Sequence, residues 1–156
     1  MKRSAGILVY KKEDNDIKVL LCHFGGPFWE GIDIGGWSLS KGEMEKNEHA
    51  TETAHREFNE ETNLNVTTPI NYLGATKTSN NKLSIMFYTE ANFNLDNCKS
   101  NTFPLEYPKG SGTIKYFPEM DKYEWMSIKE AKEKIINNQL YFLNRLEYKL
   151  ASNENR

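Results

Sequence analysis

The chain has 156 residues, 38% of them hydrophobic and 27% charged, and its formal net charge is −2. This length and composition are typical of one folded domain, here residues 1–156, which would bury roughly 70% of the surface of the unfolded chain. The small negative charge gives no support for non-specific nucleic-acid binding, and no apolar run approaches the ~18 residues of a membrane span. We therefore expect neither a nucleic-acid nor a membrane partner.

The start of the chain and its cysteines indicate a compartment. The first ten residues, MKRSAGILVY, are too short to hold the apolar core and cleavage site of a signal peptide. Cys22 and Cys98 stand far apart without a paired motif, which is typical of two reduced thiols. We expect a cytoplasmic protein, and the sequence does not indicate its oligomeric state.

The first predicted elements are two strands that form a hairpin. Ser4–Tyr10 is an apolar run, and Ile17–Phe24 follows it after a polar turn. Gly25–Trp29 (GGPFW) then breaks regular structure. Two interpretations of this loop remain open: its aromatic residues cap the core, or Phe28 and Trp29 line a substrate pocket and stack on a base.

A strongly acidic segment follows. Trp37–Ser40 predicts a short strand, and a tight turn at Lys41 and Gly42 leads into Gly42–Leu64, GEMEKNEHATETAHREFNEETNL. Seven Glu against two basic residues give this segment a net charge of −5, so the rest of the chain sums to +3. A helix is predicted from about Glu48, with Asn47 as the N-cap and Asn63 at the left-handed C-terminal position.

The acids of this helix lie in line with its apolar residues. Helical spacing puts Ala50, Ala54, Glu57 and Glu61 on one stripe, with Glu60 beside it. Like charges at these spacings cost roughly 0.2–0.5 kcal/mol per pair, and burial without a partner costs far more. Two interpretations stay open at this point: a solvated acidic face, or a site for a hard divalent cation with oxygen ligands.

The second half of the chain predicts further strands and two helices. Asn94–Pro118 shows no sustained periodicity and is predicted to be a long loop, either functional or a surface flap anchored by its aromatic residues. The other predicted elements are strands at Tyr72–Thr78, Leu83–Phe93 and Tyr123–Ser127, a turn at Ser79–Lys82 between the first two, and helices at Ile128–Ile136 and Gln139–Leu150. The tail Ser152–Arg156 is expected to fray.

The spacing of the acidic segment resembles the Nudix box, Gly-x5-Glu-x7-Arg-Glu-U-x-Glu-Glu-x-Gly-U, in which U is a bulky apolar residue. Gly42, Glu48, Arg56, Glu57, Glu60 and Glu61 match it. Asn63 stands where the pattern has its last Gly, and Asn is the next-best residue for a left-handed helix end. The resemblance implies an α/β class fold, a Nudix-type α/β/α sandwich with a mixed central sheet.

The resemblance also implies site roles. Glu57, Glu60 and Glu61 would bind Mg²⁺, with Mn²⁺ as a substitute, and the backbone carbonyl of Lys41 would complete the metal shell. Arg56 would hold these carboxylates by ion pairing. Gly42 and Glu48 would be structural box residues, Glu48 as the usual partner of Arg56.

The proton acceptor for the attacking water differs within the family. Glu57 is one candidate, and the late acid Glu119 is the other, because EMDKYEWM resembles the MutT-type enzymes. Glu106 and Asp121 are weaker candidates. The resemblance implies substrate contacts for Phe28, Trp29, Lys41 and Lys115. The histidines His23, His49 and His55 lack metal-ligand spacing, so no zinc site is expected, and of the three only His23 is placed to face a ligand.

The expected function is that of a Mg²⁺-dependent hydrolase that cleaves a diphosphate linkage in a nucleoside diphosphate joined to another group. Its partner would be a small nucleotide-type substrate such as a nucleoside triphosphate or a dinucleoside polyphosphate. One alternative is a non-catalytic Nudix-fold module that binds or senses a nucleotide. Another is an acidic-helix interaction protein without a metal.

Overall fold

The computed structural model describes residues 1–78 and 80–154. Ser79, in the predicted turn, and residues 155 and 156 of the predicted tail lie outside this part. The described elements are strands β1 (Lys2–Glu13), β2 (Asp16–Phe24), β3 (Trp37–Ser38), β4 (Ser40–Glu43), β5 (Asn71–Thr78), β6 (Lys82–Glu90), β7 (Thr102–Glu106), β8 (Ile114–Pro118) and β9 (Met120–Ser127), and helices α1 (Ala50–Thr62), α2 (Ile128–Lys134) and α3 (Leu140–Glu154). A 3₁₀ turn at Asn137–Gln139 precedes α3.

A mixed sheet of seven strands forms the centre of the fold. β1 pairs with β6 in parallel and with β2 and β4 antiparallel, while β5 closes the edge beside β6 and β3 and β9 both pair with β2. The predicted hairpin of β1 and β2 is confirmed. Asp14 and Asn15 turn it with φ of 53° and 64°, the left-handed region that two-residue hairpins require.

Each face of the sheet carries its own apolar core, because successive residues of β1 point to opposite sides. Leu8 and Tyr10 pack towards α2 and α3, whereas Ile7 and Val9 pack towards α1 together with Phe58. The α/β/α sandwich with a mixed sheet is therefore confirmed. No helix within residues 1–78 and 80–154 is long and apolar enough to cross a membrane.

The box segment differs from its prediction at two places. Lys41 and Gly42 do not make a turn but lie in β4, which pairs with β1 opposite Gly6 and Ala5. A Cβ at Gly6 would lie 2.0 Å from the Ser40 carbonyl oxygen, so this glycine lets β4 come close to β1. The predicted turn at Lys41 and Gly42 is therefore wrong, because Gly6 lets these residues pair with β1.

Helix α1 begins two residues later than expected. Its N-cap is His49, whose backbone N–H donates to Glu52 Oε1 at 3.2 Å, so the prediction of Asn47 was wrong. Asn47 instead takes φ 67° in the preceding turn. The predicted C-terminus is confirmed: Asn63 has φ 65°, and its N–H donates to the Asn59 carbonyl at 2.8 Å.

The predicted loop over 94–118 contains a separate two-stranded sheet, β7 paired with β8. Residues of β7 alternate between exposed and half-buried, whereas in β8 only Phe117 is half-buried. The ring centroids of Phe103 and Phe117 are 6.2 Å apart. Two prolines and the lack of fully buried residues over 102–118 hide this hairpin in the sequence. The predicted helix to Ile136 is also shorter, because Ile136 N–H instead donates to the Trp37 carbonyl at 2.8 Å.

Candidate functional site

Arg56 organises the box residues. Its Nε and Nη2 donate to the two carboxylate oxygens of Glu48 at 2.8 and 3.0 Å, a bidentate pair. Its Nη1 donates to Glu57 Oε1 at 2.8 Å and to Glu60 Oε2 at 3.2 Å. The Glu43 carbonyl accepts a further bond from Nη2 at 3.0 Å. One guanidinium thus connects β4, the loop before α1 and two carboxylates of α1.

Gly42 makes room for Glu57. A Cβ added to Gly42 would lie 2.0 Å from the carboxylate carbon of Glu57, so the carboxylate rests against the glycine backbone. The required property of Gly42 is therefore its small size rather than an unusual φ. Burial raises the pKa of Glu57, and the charges of Glu60 and Glu119 raise it further, while Arg56 acts in the opposite direction.

Glu61 is the most deeply buried acid of the box, with 2% of its surface exposed. Its Oε1 accepts the backbone N–H of Lys41 at 3.0 Å, and its Oε2 is buried without a hydrogen-bond partner among the described residues. Burial raises the pKa of Glu61 well above its usual value, and the neighbouring charges of Glu57 and Glu119 add to this. A buried carboxylate oxygen without a partner is costly unless a cation or proton satisfies it.

Glu119 joins these three acids from a distant part of the chain. The side chain is largely exposed, and partial burial together with the charge of Glu60 raises its pKa. A relay of backbone hydrogen bonds fixes its position: Asn101 N–H donates to the Glu60 carbonyl at 2.8 Å, Glu119 N–H donates to the Asn101 carbonyl at 2.9 Å, and Gly25 N–H donates to the Glu119 carbonyl at 2.9 Å. We call Glu57, Glu60, Glu61 and Glu119 the carboxylate cluster.

The residue types of the carboxylate cluster fit a hard divalent cation, which prefers carboxylate and carbonyl oxygens. The buried, unpartnered Oε2 of Glu61 supports this fit. Within residues 1–78 and 80–154, however, no three His, Cys, Asp or Glu side chains are gathered closely enough to hold a metal ion as they stand. Glu57 and Glu60 are instead turned towards Arg56.

The remaining predicted site residues lie outside the carboxylate cluster. Phe28 is 69% exposed, and Trp29 packs on Phe24 with ring centroids 4.6 Å apart. Lys115 lies over the Tyr107 ring at 5.7 Å. Within residues 1–78 and 80–154, none of these side chains forms a hydrogen bond or ion pair with the carboxylate cluster. Glu106 accepts the Gly110 N–H at 2.6 Å inside the β7–β8 turn, which makes it a structural residue there.

Asp121 on β9 pairs with the buried His23 of β2, a contact that no sequence pattern predicts. His23 is 3% exposed, its Nδ1 lies 2.7 Å from Asp121 Oδ1, and its Nε2 lies 2.6 Å from the Ile32 carbonyl oxygen. Both ring nitrogens face acceptors, so His23 ties β2 to the loop before β3 and to β9. Both side chains line the cavity of about 490 Å³ that also includes Pro118, the residue before Glu119. His23 lies on β2 and Asp121 on β9, and these strands pair only in the folded chain, so no sequence spacing indicates that the two residues meet.

Three cavities of about 500 Å³ or more lie among residues 1–78 and 80–154. The one of about 630 Å³ lies at the Tyr10 and Glu90 end and includes no box residue, so cavity size does not locate the site. A cavity of about 490 Å³ between Pro27, Tyr107 and Phe117 adjoins Pro118, next to Glu119 in the chain. Another of about 530 Å³ includes Lys41 and Gly42. The cavities of about 490 and 530 Å³ thus include neighbours of the carboxylate cluster: Pro118 precedes Glu119, and Gly42 contacts Glu57.

Replacing Gly42 with Ala should disable the site. The added methyl group would occupy the place of the Glu57 carboxylate, and a displacement of about 1 Å in an active site can cost about 100-fold in rate. We expect kcat/KM to fall by about 100-fold, with a loss of about 1–3 kcal/mol in the free energy of unfolding from overpacking. Gly74→Ala is the matched control, since its Cβ would meet side-chain atoms of α3, Tyr141 at 3.3 Å and Arg145 Nε at 3.6 Å, and no residue of the site. Equal activity in the two variants would contradict this assignment.

Glu48 should contribute to the loss of stability of the protein at acid pH. Hydrogen bonds from Arg56, from the Glu45 backbone N–H and from the Thr53 hydroxyl lower the pKa of Glu48 from 4.5 to about 2. The folded-state pKa lies below the unfolded value, so this contribution is complete above pH 4.5 and is lost as pH falls towards about 2. Melting temperatures of wild type and Glu48→Gln, measured from pH 7 to pH 2, should converge over this window. Curves that stay parallel would refute the pairing.

The sequence matches the NUDIX domain family over residues 1–146. Comparison with curated proteins finds no significant match. Among solved structures, an Ap4A hydrolase of C. elegans in a binary complex aligns with a TM-score of 0.66 at 19% identity, covering 97% of this chain and 99% of that one. The NUDIX domain of Shewanella oneidensis NrtR, complexed with ADP ribose, aligns with a TM-score of 0.67 at 14% identity, covering 95% and 87%.

A MutT protein of Methanosarcina mazei Go1 aligns with a TM-score of 0.61 at 19% identity, covering 95% of this chain and 94% of that one. These identities are low, so the alignments establish a shared fold. The family match covers nearly the whole chain, and the box residues that define the family meet around Arg56. The chain therefore belongs to the Nudix hydrolase family.

Proposed function

We propose that this protein is a Mg²⁺-dependent hydrolase that cleaves a diphosphate linkage in a nucleoside diphosphate derivative. The observation that carries the proposal is the carboxylate cluster, in which a buried Glu61 oxygen has no hydrogen-bond partner among residues 1–78 and 80–154. A site that only needed stability would not collect four acids at one place, three of them with pKa values raised by burial and by neighbouring carboxylates. Family membership supports the same reaction class.

Glu57, Glu60, Glu61 and the Lys41 carbonyl would hold the Mg²⁺, with Mn²⁺ as a substitute. When bound, such an ion neutralises phosphate oxygens, lowers the pKa of a bound water and stabilises the leaving phosphate. Arg56 positions the carboxylates, because its five donors already engage Glu48, Glu57 and Glu60.

A carboxylate must accept the proton of the attacking water as the new P–O bond forms and the bridging P–O bond breaks. We assign this to Glu119, with Glu57 as the other candidate. Its raised pKa makes Glu119 a better proton acceptor than an ordinary solvated acid, and its exposed position leaves it accessible to water. The relay of backbone bonds through Asn101 would hold it opposite α1.

A product-release screen tests this proposal. Adenine compounds suit it, since the similar structures include an Ap4A hydrolase and a domain complexed with ADP ribose. We expect phosphate, pyrophosphate or mononucleotide release from at least one of ATP, Ap4A and ADP-ribose with Mg²⁺ or Mn²⁺, and none with EDTA. Binding without turnover under all conditions would instead support a nucleotide-sensing module.

A further inference from the structure

The last turn of α1 carries two of the four acids of the carboxylate cluster, Glu60 and Glu61. The carbonyl groups of the last turn of an α-helix have no N–H partner within the helix, so such ends fray unless other groups bond to them. In α1 these are the carbonyls of residues 60–62, because the N–H of Asn63 already donates to the Asn59 carbonyl. The positions of Glu60 and Glu61 therefore depend on donors from outside the helix.

Each of these three carbonyls accepts a hydrogen bond from a distant part of the chain. Two backbone N–H groups of the loop before β7 donate to the first and the last of them, Asn101 at 2.8 Å and Lys99 at 3.3 Å. The middle carbonyl, that of Glu61, accepts the hydroxyl group of Tyr123 at 2.5 Å. Two of the donors thus belong to a loop, whereas Tyr123 lies on β9 and joins the helix end to the central sheet.

The position of the Tyr123 hydroxyl is fixed by the packing of its ring. Tyr123 is half-buried and lies in register with Cys22 of β2, on the sheet face that packs on α1. Its ring belongs to the apolar core of that face, which also contains Phe58 of α1. Packing restricts the side-chain torsions to one rotamer, so the hydroxyl is held at the end of the helix.

Two different strands of the central sheet hold Glu61. On the side of β4, the backbone N–H of Lys41 donates to its Oε1 at 3.0 Å. On the side of β9, the Tyr123 hydroxyl donates to its backbone carbonyl. These two bonds fix both ends of the residue, and with them the direction of Oε2, the buried oxygen that has no hydrogen-bond partner in the described part of the chain.

We propose that Tyr123 is a positioning residue of the site: its hydrogen bond to the Glu61 carbonyl fixes the last turn of α1, so that Glu60 and Glu61 present their carboxylates to one divalent cation. This inference rests on the proposed function. Mg²⁺ requires nearly ideal octahedral geometry, so a small displacement of the helix end should weaken its binding. Tyr123 acts through Glu61 and takes no part in proton transfer.

Tyr123→Phe tests this role, because it keeps the packed ring and removes only the hydroxyl group. The Kd for Mn²⁺, measured by electron paramagnetic resonance of the free ion, should rise about tenfold, as for the loss of a hydrogen bond that orients a metal ligand. On the substrate that the screen identifies, kcat should fall about tenfold, and the KM for the nucleotide should change less than about twofold. Amide hydrogen exchange at Asn63, whose N–H closes the last turn of α1, should become faster.

Tyr10→Phe is the matched control. Tyr10 is buried, its hydroxyl donates to Glu90 Oε1 at 3.4 Å, and it lines the cavity of about 630 Å³ that includes no box residue. Both variants lose one tyrosine hydroxyl bond, so both melting temperatures should fall by a few degrees. Mn²⁺ affinity, kcat and exchange at Asn63 should stay at wild-type values in Tyr10→Phe.

The Mn²⁺ titration separates this inference from the proposed reaction. Equal Mn²⁺ affinity of Tyr123→Phe and wild type would overturn the inference and leave the hydrolase untouched. Equal losses of Mn²⁺ affinity in Tyr123→Phe and Tyr10→Phe would also overturn it, because reduced stability alone would then account for the effect. Weaker Mn²⁺ binding by Tyr123→Phe, with no turnover of any substrate by wild type, would support the positioning role and reject the hydrolase. A wild type that binds no Mn²⁺ would reject both.

Discussion

Glu57→Gln should lower kcat by about 1,000-fold on the substrate that the screen identifies. Gln has the same shape, so it still fits against Gly42, but it removes one negative charge from the carboxylate cluster and weakens binding of a divalent cation. Loss of several kcal/mol of transition-state stabilisation corresponds to a rate change of this size. The measurement is kcat at saturating substrate over a Mg²⁺ titration, beside a circular dichroism melt.

Glu133→Gln is the matched control, since Glu133 is exposed on α2, away from the site. It should retain wild-type kcat. The melting temperature of Glu57→Gln should stay close to or above that of wild type, because burial already disfavours the charge of Glu57. Comparable kcat for Glu57→Gln and wild type would remove Glu57 from the reaction.

Arg56→Met should lower the free energy of unfolding by about 2–4 kcal/mol. The Arg56 side chain is only 25% exposed, so the loss should approach that of breaking a buried ion pair. The change leaves Glu48, Glu57 and Glu60 without their shared donor, so their mutual repulsion is no longer offset. Urea denaturation in EDTA measures the loss, and kcat should fall as well because Glu57 and Glu60 lose their position.

Arg56→Lys separates charge from geometry. Lysine keeps the positive charge but cannot bond both oxygens of Glu48 while also reaching Glu57. We expect most of the stability loss of Arg56→Met to persist. If Arg56→Lys matches wild type in both stability and kcat, the bidentate geometry is unimportant and only the charge acts.

The fold was predictable where the hydrophobic pattern was strong. The run LSIMFY excludes an edge position, and β6 indeed lies between β1 and β5. The β7–β8 hairpin was missed because its residues are only partly buried, so its alternation is weak. The strand pairing of Lys41 and Gly42 depends on Gly6, far earlier in the chain, which local rules cannot anticipate.

The candidate site likewise has a part that the sequence predicts and a part that depends on contacts between distant residues. Helical spacing alone places Glu57, Glu60 and Glu61 together, since all three lie on α1. The position of Glu119 beside them depends on backbone bonds through Asn101, which connect distant parts of the chain. The predicted substrate contacts of Phe28 and Trp29 rest on the loop composition and on the resemblance, and neither determines the direction in which a side chain points.

The backbone relay from α1 through Asn101 to Glu119 has a consequence for dynamics. The β7–β8 hairpin is a sheet of its own with partly exposed side chains, so its undocking needs less free energy than global unfolding. Breaking the bonds at Asn101 would withdraw Glu119 while Arg56 and the α1 acids stay in place. The fraction of molecules with a complete carboxylate cluster would then follow a local opening equilibrium, which amide hydrogen exchange at Asn101 and Glu119 would report separately from the exchange of the central strands.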